Sequence, residues 1–236
     1  MARIHCPVAL QVGQDLALPE GAARHVQVLR MQPGMTVCLF NGQGGEYLAR
    51  IVHMGRSEVR VQVLSHVPVE REAERPIHLL AGLTANERMD WLVEKATELG
   101  AASLTPILLS RSVMRLQGER AERRQQHWQA VAVAACEQSG RNRVPLIHPV
   151  CGLAQALDSV PTGDARWILS LQTPARSLAE MRADQGPVWV LSGSEGGLDP
   201  TEEQRALQAG FEPLSLGPRV LRAETAPLAL LAACLL

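Results

Sequence analysis

Short apolar runs alternate with helix-like segments from Ile77 onward, and this alternation constrains the fold more than any other feature. The runs IHLLAGL, SLTPILL, RWILSL, PVWVLS and FEPLSL are typical of buried strands. Helical spacing occurs between them, over 119–139 and in the segment that Asn86 is expected to cap and that Gly100 ends. Such alternation predicts an α/β domain whose largely parallel sheet is covered on both faces.

The N-terminal part of the chain follows a different pattern. Apolar and polar residues alternate over 36–41, 46–53 and 58–64, which predicts three half-buried strands. The sequence NGQGG joins the first two strands as a hairpin loop, and HVQVLRM predicts a short helix. The charged segment VPVEREAERP has two prolines and no periodicity, so we place a domain boundary there.

Composition is compatible with two domains and excludes several classes of protein. The 236 residues are 46% hydrophobic, enough for a small and a medium domain, which we place at 1–68 and 77–236 with a linker at 69–76. No apolar run reaches the roughly 20 residues that span a bilayer, and MARIHCPVAL lacks the apolar core of a signal peptide. The five scattered cysteines contain no Cys-x-x-Cys pair. We therefore expect a cytoplasmic protein with reduced thiols, no metal site and no membrane association.

Positive charge is concentrated near the middle of the chain, although the net charge is −1. The segment from Arg111 to Arg143 holds seven arginines and three glutamates. A local positive surface on a nearly neutral protein is compatible with an RNA phosphate backbone as partner. A solvated helix face is the alternative explanation. The candidate RNA contacts are Arg111, Arg115, Arg123, Arg124, Arg141 and Arg143.

Three loops that follow predicted strands are candidates for a ligand site: LSLQTP, SGSEGG and LGPRVLRAET. Ligands of open α/β sheets bind beyond the carboxyl ends of the strands. Glycines in two of these loops permit close approach of the backbone, although a glycine pair alone is also an ordinary turn. SGSEGG has neither dinucleotide nor P-loop spacing. A flat heterocycle such as adenine suits peptide groups from several loops, with Leu171, Leu216 and Leu221 against its faces.

Four segments give the chain a specific resemblance: LTANERMDWLVEKATELGAASLTPILLSRSV, AVAACEQSGRNRVP, LSGSEGGLDPTE and LGPRVLRAETA. They resemble the signature segments of the ribosomal RNA small-subunit methyltransferase E family, S-adenosylmethionine-dependent uridine-N3 methyltransferases of the SPOUT superfamily. HVQVLRMQPGMTVCLFNGQGGEYLARI also resembles the small PUA-type β-barrel of that family. The resemblance covers nearly the whole chain, with the motifs in the same order and spacing.

The resemblance implies an α/β fold with a C-terminal trefoil-knotted SPOUT methyltransferase domain and an N-terminal PUA-like small β-barrel. In that superfamily the last loop and helix thread through a preceding loop, a rare exception to unknotted topology. The final helix then packs in a homodimer interface. A segment as apolar as 227–236 must be buried somewhere, and a knot core with a dimer interface accounts for it. An ordinary buried helix in a monomer is the alternative.

The resemblance also implies a function and a set of residues. The function is S-adenosylmethionine-dependent methylation of uridine N3 in 16S rRNA, within an assembled small ribosomal subunit. Two positions depart from the family pattern, because Ser194 stands in place of the usual proline of G-P-E-G-G, and Pro227 in place of a more usual alanine. The implied cofactor-binding residues are Leu171, Gln172, Gly193, Glu195, Gly196, Gly197, Leu216, Gly217, Val220 and Leu221.

Arg222 and Glu224 are the candidate catalytic residues, because they lie in the loop expected to hold the donor. Loss of the uridine imide proton requires a base or a cation that stabilises negative charge. We expect Arg222 near the uracil carbonyls, with Glu224 orienting it or relaying the proton; a structural ion pair is the alternative. A non-catalytic RNA-binding protein with a degenerate knot and a dinucleotide-dependent oxidoreductase are the competing functions.

Overall fold

The computed structural model describes residues 1–56, 58–171, 174–182 and 186–236. The chain forms two compact units. One comprises Met1–Glu72 and Cys136–Val144, and the other comprises Ala73–Ala135 and Pro145–Leu236. This division differs from the predicted linear one, because Cys136–Val144 belongs with the N-terminal residues.

The N-terminal unit is built on a sheet with the spatial order β1-β3-β4-β5-β2. Its described elements are β1 (Arg3–His5), β2 (Asp15–Ala17), α1 (Glu20–Val28), β3 (Thr36–Phe40), β4 (Glu46–Met54) and β5 (Val59–Val67). The three strands expected from alternation are confirmed, and Val59, Val61 and Val63 are buried while Arg60 and Gln62 are half-buried. The helix begins earlier than HVQVLRM indicates, directly after Pro19. The strands β1 and β2 were not predicted from the sequence.

The returning segment Cys136–Val144 is held in this unit by polar contacts. Asn142 is fully buried; its amide nitrogen donates to the Val69 carbonyl at 2.9 Å, and its oxygen accepts from Arg3 at 2.6 Å. Arg141 is only 4% exposed and pairs with the carboxylate of Glu72. A buried arginine needs such a partner, since an unpaired buried charge is costly.

The C-terminal unit contains a parallel sheet with the order β12-β10-β11-β6-β7-β8, and β9 pairs with β7. Its described elements are β6 (Ile77–Gly82), α2 (Asn86–Glu98), β7 (Ser103–Leu108), α3 (Gly118–Ser139, ending in the N-terminal unit), β8 (Leu146–Ile147), β9 (Cys151–Gly152), α4 (Leu153–Asp158), β10 (Ala165–Leu169), α5 (Leu178–Arg182), β11 (Val188–Ser192), α6 (Pro200–Gln208), β12 (Glu212–Leu214) and α7 (Thr225–Leu235). All five residues of β11 are buried, as expected for a central parallel strand. The predicted α/β alternation is confirmed.

Two helix starts in this unit test the capping predictions. The capping box of α6 is confirmed: the Glu202 N–H donates to the Asp199 carboxylate at 2.8 Å, and the Asp199 N–H donates to the Glu202 carboxylate at 3.0 Å. The prediction that Asn86 caps α2 is wrong. The N-cap residue is Ala85, which has no capping side chain of its own.

The terminal helix α7 packs against α2 and the sheet strands β6 and β11. Leu228, Leu230 and Leu231 are buried within the unit, whereas Leu236, just beyond the helix, is 91% exposed. The burial predicted for the apolar tail is therefore met on one side of the helix only. Among the described residues, no helix is long and apolar enough to cross a membrane.

Candidate functional site

A cavity of about 670 Å³ lies beyond the carboxyl ends of β10, β11 and β12. These strands are neighbours in the sheet, so the three loops singled out in the sequence converge on one place. Gln172 lies outside the described residues. The other nine predicted cofactor-binding residues all line the cavity: Leu171, Gly193, Glu195, Gly196, Gly197, Leu216, Gly217, Val220 and Leu221.

The loop over 193–198, called here the donor loop after the ligand expected from the sequence, is folded tightly on itself. The Gly197 N–H donates to the Ser194 carbonyl at 2.8 Å, and Gly197 has a φ of +71°, a conformation that favours glycine. The Ser194 hydroxyl donates to the Gly197 carbonyl at 3.4 Å, and Ser194 is buried. A Cβ on Gly193 would lie 2.8 Å from Gly197. Ser194 thus adds a hydrogen bond across the turn at the position where the family that the sequence resembles usually has a proline.

Gly82, the last residue of β6, makes this compact loop possible. A Cβ added there would lie 2.6 Å from the carbonyl carbon of Gly193 and would also collide with the amide nitrogen of Ser194. Both neighbours are backbone atoms, so neither can yield by rotating a side chain. Gly82 was not among the predicted site residues, because the loop residues that leave no room for a side chain there lie far away in the sequence.

Glu195 connects the donor loop to the start of α2. One of its carboxylate oxygens accepts a hydrogen bond from the Ala85 N–H at 2.7 Å and lies 3.6 Å from the Arg88 guanidinium. Its other oxygen is buried and has no hydrogen-bond partner among the described residues. A carboxylate at this position is favoured by the partial positive charge of the helix N-terminus.

Arg88 lines the cavity and was not among the site residues predicted from the sequence. Its Nε lies 3.9 Å from a carboxylate oxygen of Glu224, so the guanidinium stands between Glu224 and Glu195. Glu224 is 7% exposed, and its second oxygen is buried with no hydrogen-bond partner in the described part of the chain. The structure thus brings two carboxylates of the C-terminal unit to one arginine.

The two candidate catalytic residues occupy different surroundings. Arg222 is exposed, lines the cavity and has no salt-bridge partner among the described residues. Glu224 is buried and does not line the cavity; its nearest cation is Arg88. The alternative of a structural ion pair at the helix entrance therefore describes Glu224, which faces Arg88, and does not describe Arg222 among the described residues.

The predicted RNA-contacting arginines are divided among three environments. Arg111 and Arg115 are exposed and bond backbone carbonyls at or near the donor loop. Arg123 is exposed on α3 and pairs with Glu119, an arrangement that leaves it accessible. Arg124 also lies on α3 and is half-buried. Arg143 is in the N-terminal unit, where it is exposed and bonds Glu70.

Arg141 is the exception among these arginines. Its side chain is 5% exposed and faces Glu72 through Nε and Nη2. An RNA phosphate could bind it only by breaking a buried ion pair, which is strongly unfavourable. Arg141 is therefore a structural residue of the N-terminal unit, and the expected phosphate contact there is not supported.

Two family models match the chain and divide it between them. A model described as an RNA methyltransferase domain matches residues 71–235, and one described as an RNA methyltransferase PUA domain matches residues 18–64. The first match contains the cavity, the donor loop and α7. The second contains α1, β3 and β4 and most of β5.

Known proteins and solved structures agree with these matches. The chain is 28% identical over 216 residues to ribosomal RNA small subunit methyltransferase E from Bacillus subtilis, covering 88% of this chain and 84% of that protein. A structure of the enzyme of that name from Neisseria gonorrhoeae, bound to S-adenosyl methionine, superposes with a TM-score of 0.94 at 38% identity, covering 99% of this chain and 96% of the other. A putative methyltransferase from Legionella pneumophila, in complex with the same cofactor, gives 0.94 at 34% identity with the same coverage.

Proposed function

From the premise that this chain belongs to the ribosomal RNA small subunit methyltransferase E family, we propose that it methylates uridine N3 in 16S rRNA with S-adenosylmethionine as donor. The observation that carries the proposal is the cavity at the ends of three neighbouring parallel strands. Its lining includes every described residue that the family resemblance assigns to the donor. A cytoplasmic location follows from this substrate.

The residues around the cavity fit an adenosine-bearing cation. Leu171 and Val220 are 66% and 79% exposed at the cavity, which leaves apolar surface for the faces of an adenine ring. Gly217 has a φ of +105°, so the backbone there can approach a ligand without a side chain intervening. The unpartnered oxygen of Glu195 is an acceptor in need of a donor group. These residues, with the rest of the donor loop, would hold the cofactor.

The chain's own task is to position the nucleophile and assist loss of its proton. When bound, S-adenosylmethionine supplies a methyl carbon already activated by the adjacent sulfonium. Arg222, exposed at the cavity, stabilises the negative charge that develops on the uracil carbonyls as N3 loses its proton. Glu224 is buried next to the cavity and faces Arg88. It orients the arginines at the cavity or relays the proton.

The RNA is held mainly through its phosphates by exposed and half-buried arginines. On the C-terminal unit these arginines follow the cavity-lining Arg111 into α3, and on the N-terminal unit Arg143 stands beside the glycine-rich hairpin loop. Contacts from two units suit a large structured substrate, in line with 16S rRNA inside an assembled small subunit. The proposed phosphate contacts are Arg111, Arg115, Arg123, Arg124 and Arg143.

We further propose that the C-terminal unit is knotted and that the protein is a homodimer. Support for the knot is that the segment after β10 lies along the end of β12: the Arg176 N–H donates to the Pro213 carbonyl at 2.8 Å and the Ser215 N–H to the Arg176 carbonyl at 3.0 Å. Support for the dimer is that α7 has no charged residue but leaves Ala229 and Ala232 only half-buried. Such an apolar surface is typical of an interface.

Sedimentation of substituted proteins tests the dimer. Ala229→Glu with Ala232→Glu places charge on the half-buried face and should yield monomers, whereas Ala130→Glu, on the exposed face of α3, should not. Leu230 and Leu231 are unsuitable, since both are fully buried within the unit. A wild-type monomer at micromolar concentration would exclude the dimer.

Calorimetry with two cofactors distinguishes the proposed enzyme from its competitors. We expect saturable binding of S-adenosylmethionine and none of NADH, because the donor loop lacks dinucleotide spacing. Binding of NADH alone would indicate an oxidoreductase. Binding of S-adenosylmethionine without methyl transfer to small ribosomal subunits, or binding of neither, would favour an RNA-binding protein without activity.

A further inference from the structure

The segment 109–112 is attached to the donor loop and to the start of α6 by side-chain hydrogen bonds. The Ser110 N–H donates to the Glu202 carboxylate at 2.7 Å, and the Ser110 hydroxyl donates to the Asp199 carboxylate at 2.8 Å. Hydrogen bonds from the Glu202 N–H and the Ser110 hydroxyl hold the pKa of Asp199 below its ordinary value, so this acceptor is ionised at neutral pH. These two bonds hold the segment against the start of α6, directly after the donor loop.

Arg111 makes the most direct connection between the two. Its Nη1 donates to the Gly196 carbonyl at 3.0 Å and to the Leu198 carbonyl at 3.2 Å, which uses both hydrogens of that nitrogen. A Cβ on Gly196 would lie 2.8 Å from the Arg111 Cβ, so loop and side chain are in close contact. Arg115 braces the same segment by donating to the Ser110 carbonyl at 2.9 Å.

The Nε–Nη2 edge of the Arg111 guanidinium is available for a further ligand. Nε and Nη2 make no hydrogen bond within the described residues, and the side chain is exposed at the cavity. That edge presents two parallel N–H groups, the geometry that binds a phosphate through two hydrogen bonds. Arg111 thus bonds two donor-loop carbonyls through Nη1 and keeps Nε and Nη2 free of hydrogen bonds to the described residues.

We propose that Arg111 is a positioning residue that couples the binding of RNA to the binding of the methyl donor. A phosphate on the Nε–Nη2 edge fixes the guanidinium plane and thereby fixes the two carbonyls on the Nη1 side. The donor loop is then ordered before the donor arrives. This inference rests on the proposed function and adds a coupling that the cavity alone does not require.

The sign of the coupling follows from the cost of ordering. The Arg111 side chain and the donor loop lose conformational freedom when either ligand binds. The second ligand then binds to a loop that is already ordered, so its binding costs less conformational entropy. Binding must therefore be positively cooperative, and each ligand must strengthen the other by the same factor. Couplings of this kind amount to about fivefold or more in affinity.

The test uses S-adenosylhomocysteine, which binds as a donor analogue but cannot react. Its Kd for the full-length protein is measured by equilibrium dialysis, alone and with saturating small ribosomal subunits that lack the modification. For the wild type we expect the Kd to fall about fivefold or more when subunits are present. The ratio of the Kd without subunits to the Kd with subunits measures the coupling. Arg111→Ala should reduce this ratio to about one, and circular dichroism establishes that the variant is folded.

Two further variants separate coupling from charge. Arg123→Ala removes an arginine whose side chain bonds only Glu119 in the described residues, so it should weaken subunit binding but preserve the ratio. Arg111→Lys keeps the charge but loses the planar arrangement of N–H groups. It should therefore bind subunits more tightly than Arg111→Ala, but its ratio of the two Kd values should still be near one.

Each outcome decides the proposal. A wild-type ratio near one, with S-adenosylhomocysteine bound normally, overturns the coupling and leaves the proposed function intact. An Arg111→Ala ratio equal to that of the wild type also overturns it. Failure of the wild type to bind S-adenosylhomocysteine at all overturns the proposed function and the coupling with it.

Discussion

Glu195 in the donor loop accepts a hydrogen bond from the N–H of Ala85 at 2.7 Å, across 110 positions of sequence. Ala85 is the N-cap of α2, and its N–H has no acceptor within the helix, so a residue from another strand end supplies one. The same carboxylate lies 3.6 Å from Arg88, on the first turn of that helix. The loop that lines the cavity and the start of α2 are therefore stabilised together.

Removing this acceptor should destabilise the C-terminal unit. We expect Glu195→Ala to lower the free energy of unfolding by about 1 kcal/mol, as the loss of a helix cap does. Glu195→Gln keeps an oxygen that can accept a hydrogen bond from the Ala85 N–H, so its free energy of unfolding should fall much less. Urea denaturation measures both, and equal losses for the two variants would show that charge rather than the hydrogen bond is what matters.

A methyl group at Gly82 should disturb donor binding. The added Cβ would collide with the backbone of Gly193 and Ser194, so the donor loop must shift. We expect Gly82→Ala to weaken S-adenosylmethionine binding more than tenfold, about 1.4 kcal/mol. Gly152→Ala is the control, because a Cβ there meets nothing within 4 Å. Calorimetry that gave Gly82→Ala the wild-type affinity would contradict the close packing of loop and strand.

Arg222 should act on the transition state more than on donor binding. If it stabilises charge on the uracil oxygens, Arg222→Ala costs about 10²-fold in turnover, as the loss of one oxyanion donor does. Donor affinity changes little, and Arg222→Lys recovers part of the rate because the ammonium keeps the charge. Single-turnover methylation and calorimetry measure the two effects. Parallel loss of rate and donor affinity would make Arg222 a support of the cavity.

RNA binding should weaken steeply with salt, because exposed arginines release counterions when they meet phosphates. We expect Arg143→Ala to lower the slope of log affinity against log salt by about one. Arg141→Ala should act differently: it leaves the half-buried Glu72 without its cation, so the N-terminal unit loses stability. Filter binding across a salt series, with thermal unfolding alongside, distinguishes the two. A slope unchanged by Arg143→Ala would remove that residue from the interface.

Local sequence patterns were sufficient to predict much of the fold and the position of the cavity. Alternating apolar residues predicted β3, β4 and β5, since each pattern needs only neighbouring residues to be read. The cavity followed from strand ends, because parallel strands bring their carboxyl ends to one edge. The choice of donor-loop residues came from the family resemblance, which spacing alone did not supply.

The features that escaped prediction depend on partners far away in the chain. Gly82 is required by backbone that comes 111 and 112 positions later, and Arg88 owes its place to Glu195 and Glu224. Arg141 looked like its neighbours in a positive segment, but it is buried and bonded to Glu72, 69 positions earlier. Charge density along a sequence does not distinguish an arginine that faces solvent from one that is paired inside.

Mapping the methylated nucleoside tests the central proposal most directly. Small ribosomal subunits lacking the modification are incubated with the protein and S-adenosylmethionine, and the 16S rRNA is digested and analysed by mass spectrometry. We predict one new methyl group on N3 of a uridine, abolished or strongly reduced with Arg222→Ala. A methyl group on a ribose or on another base, or no transfer to any RNA despite donor binding, would contradict the account.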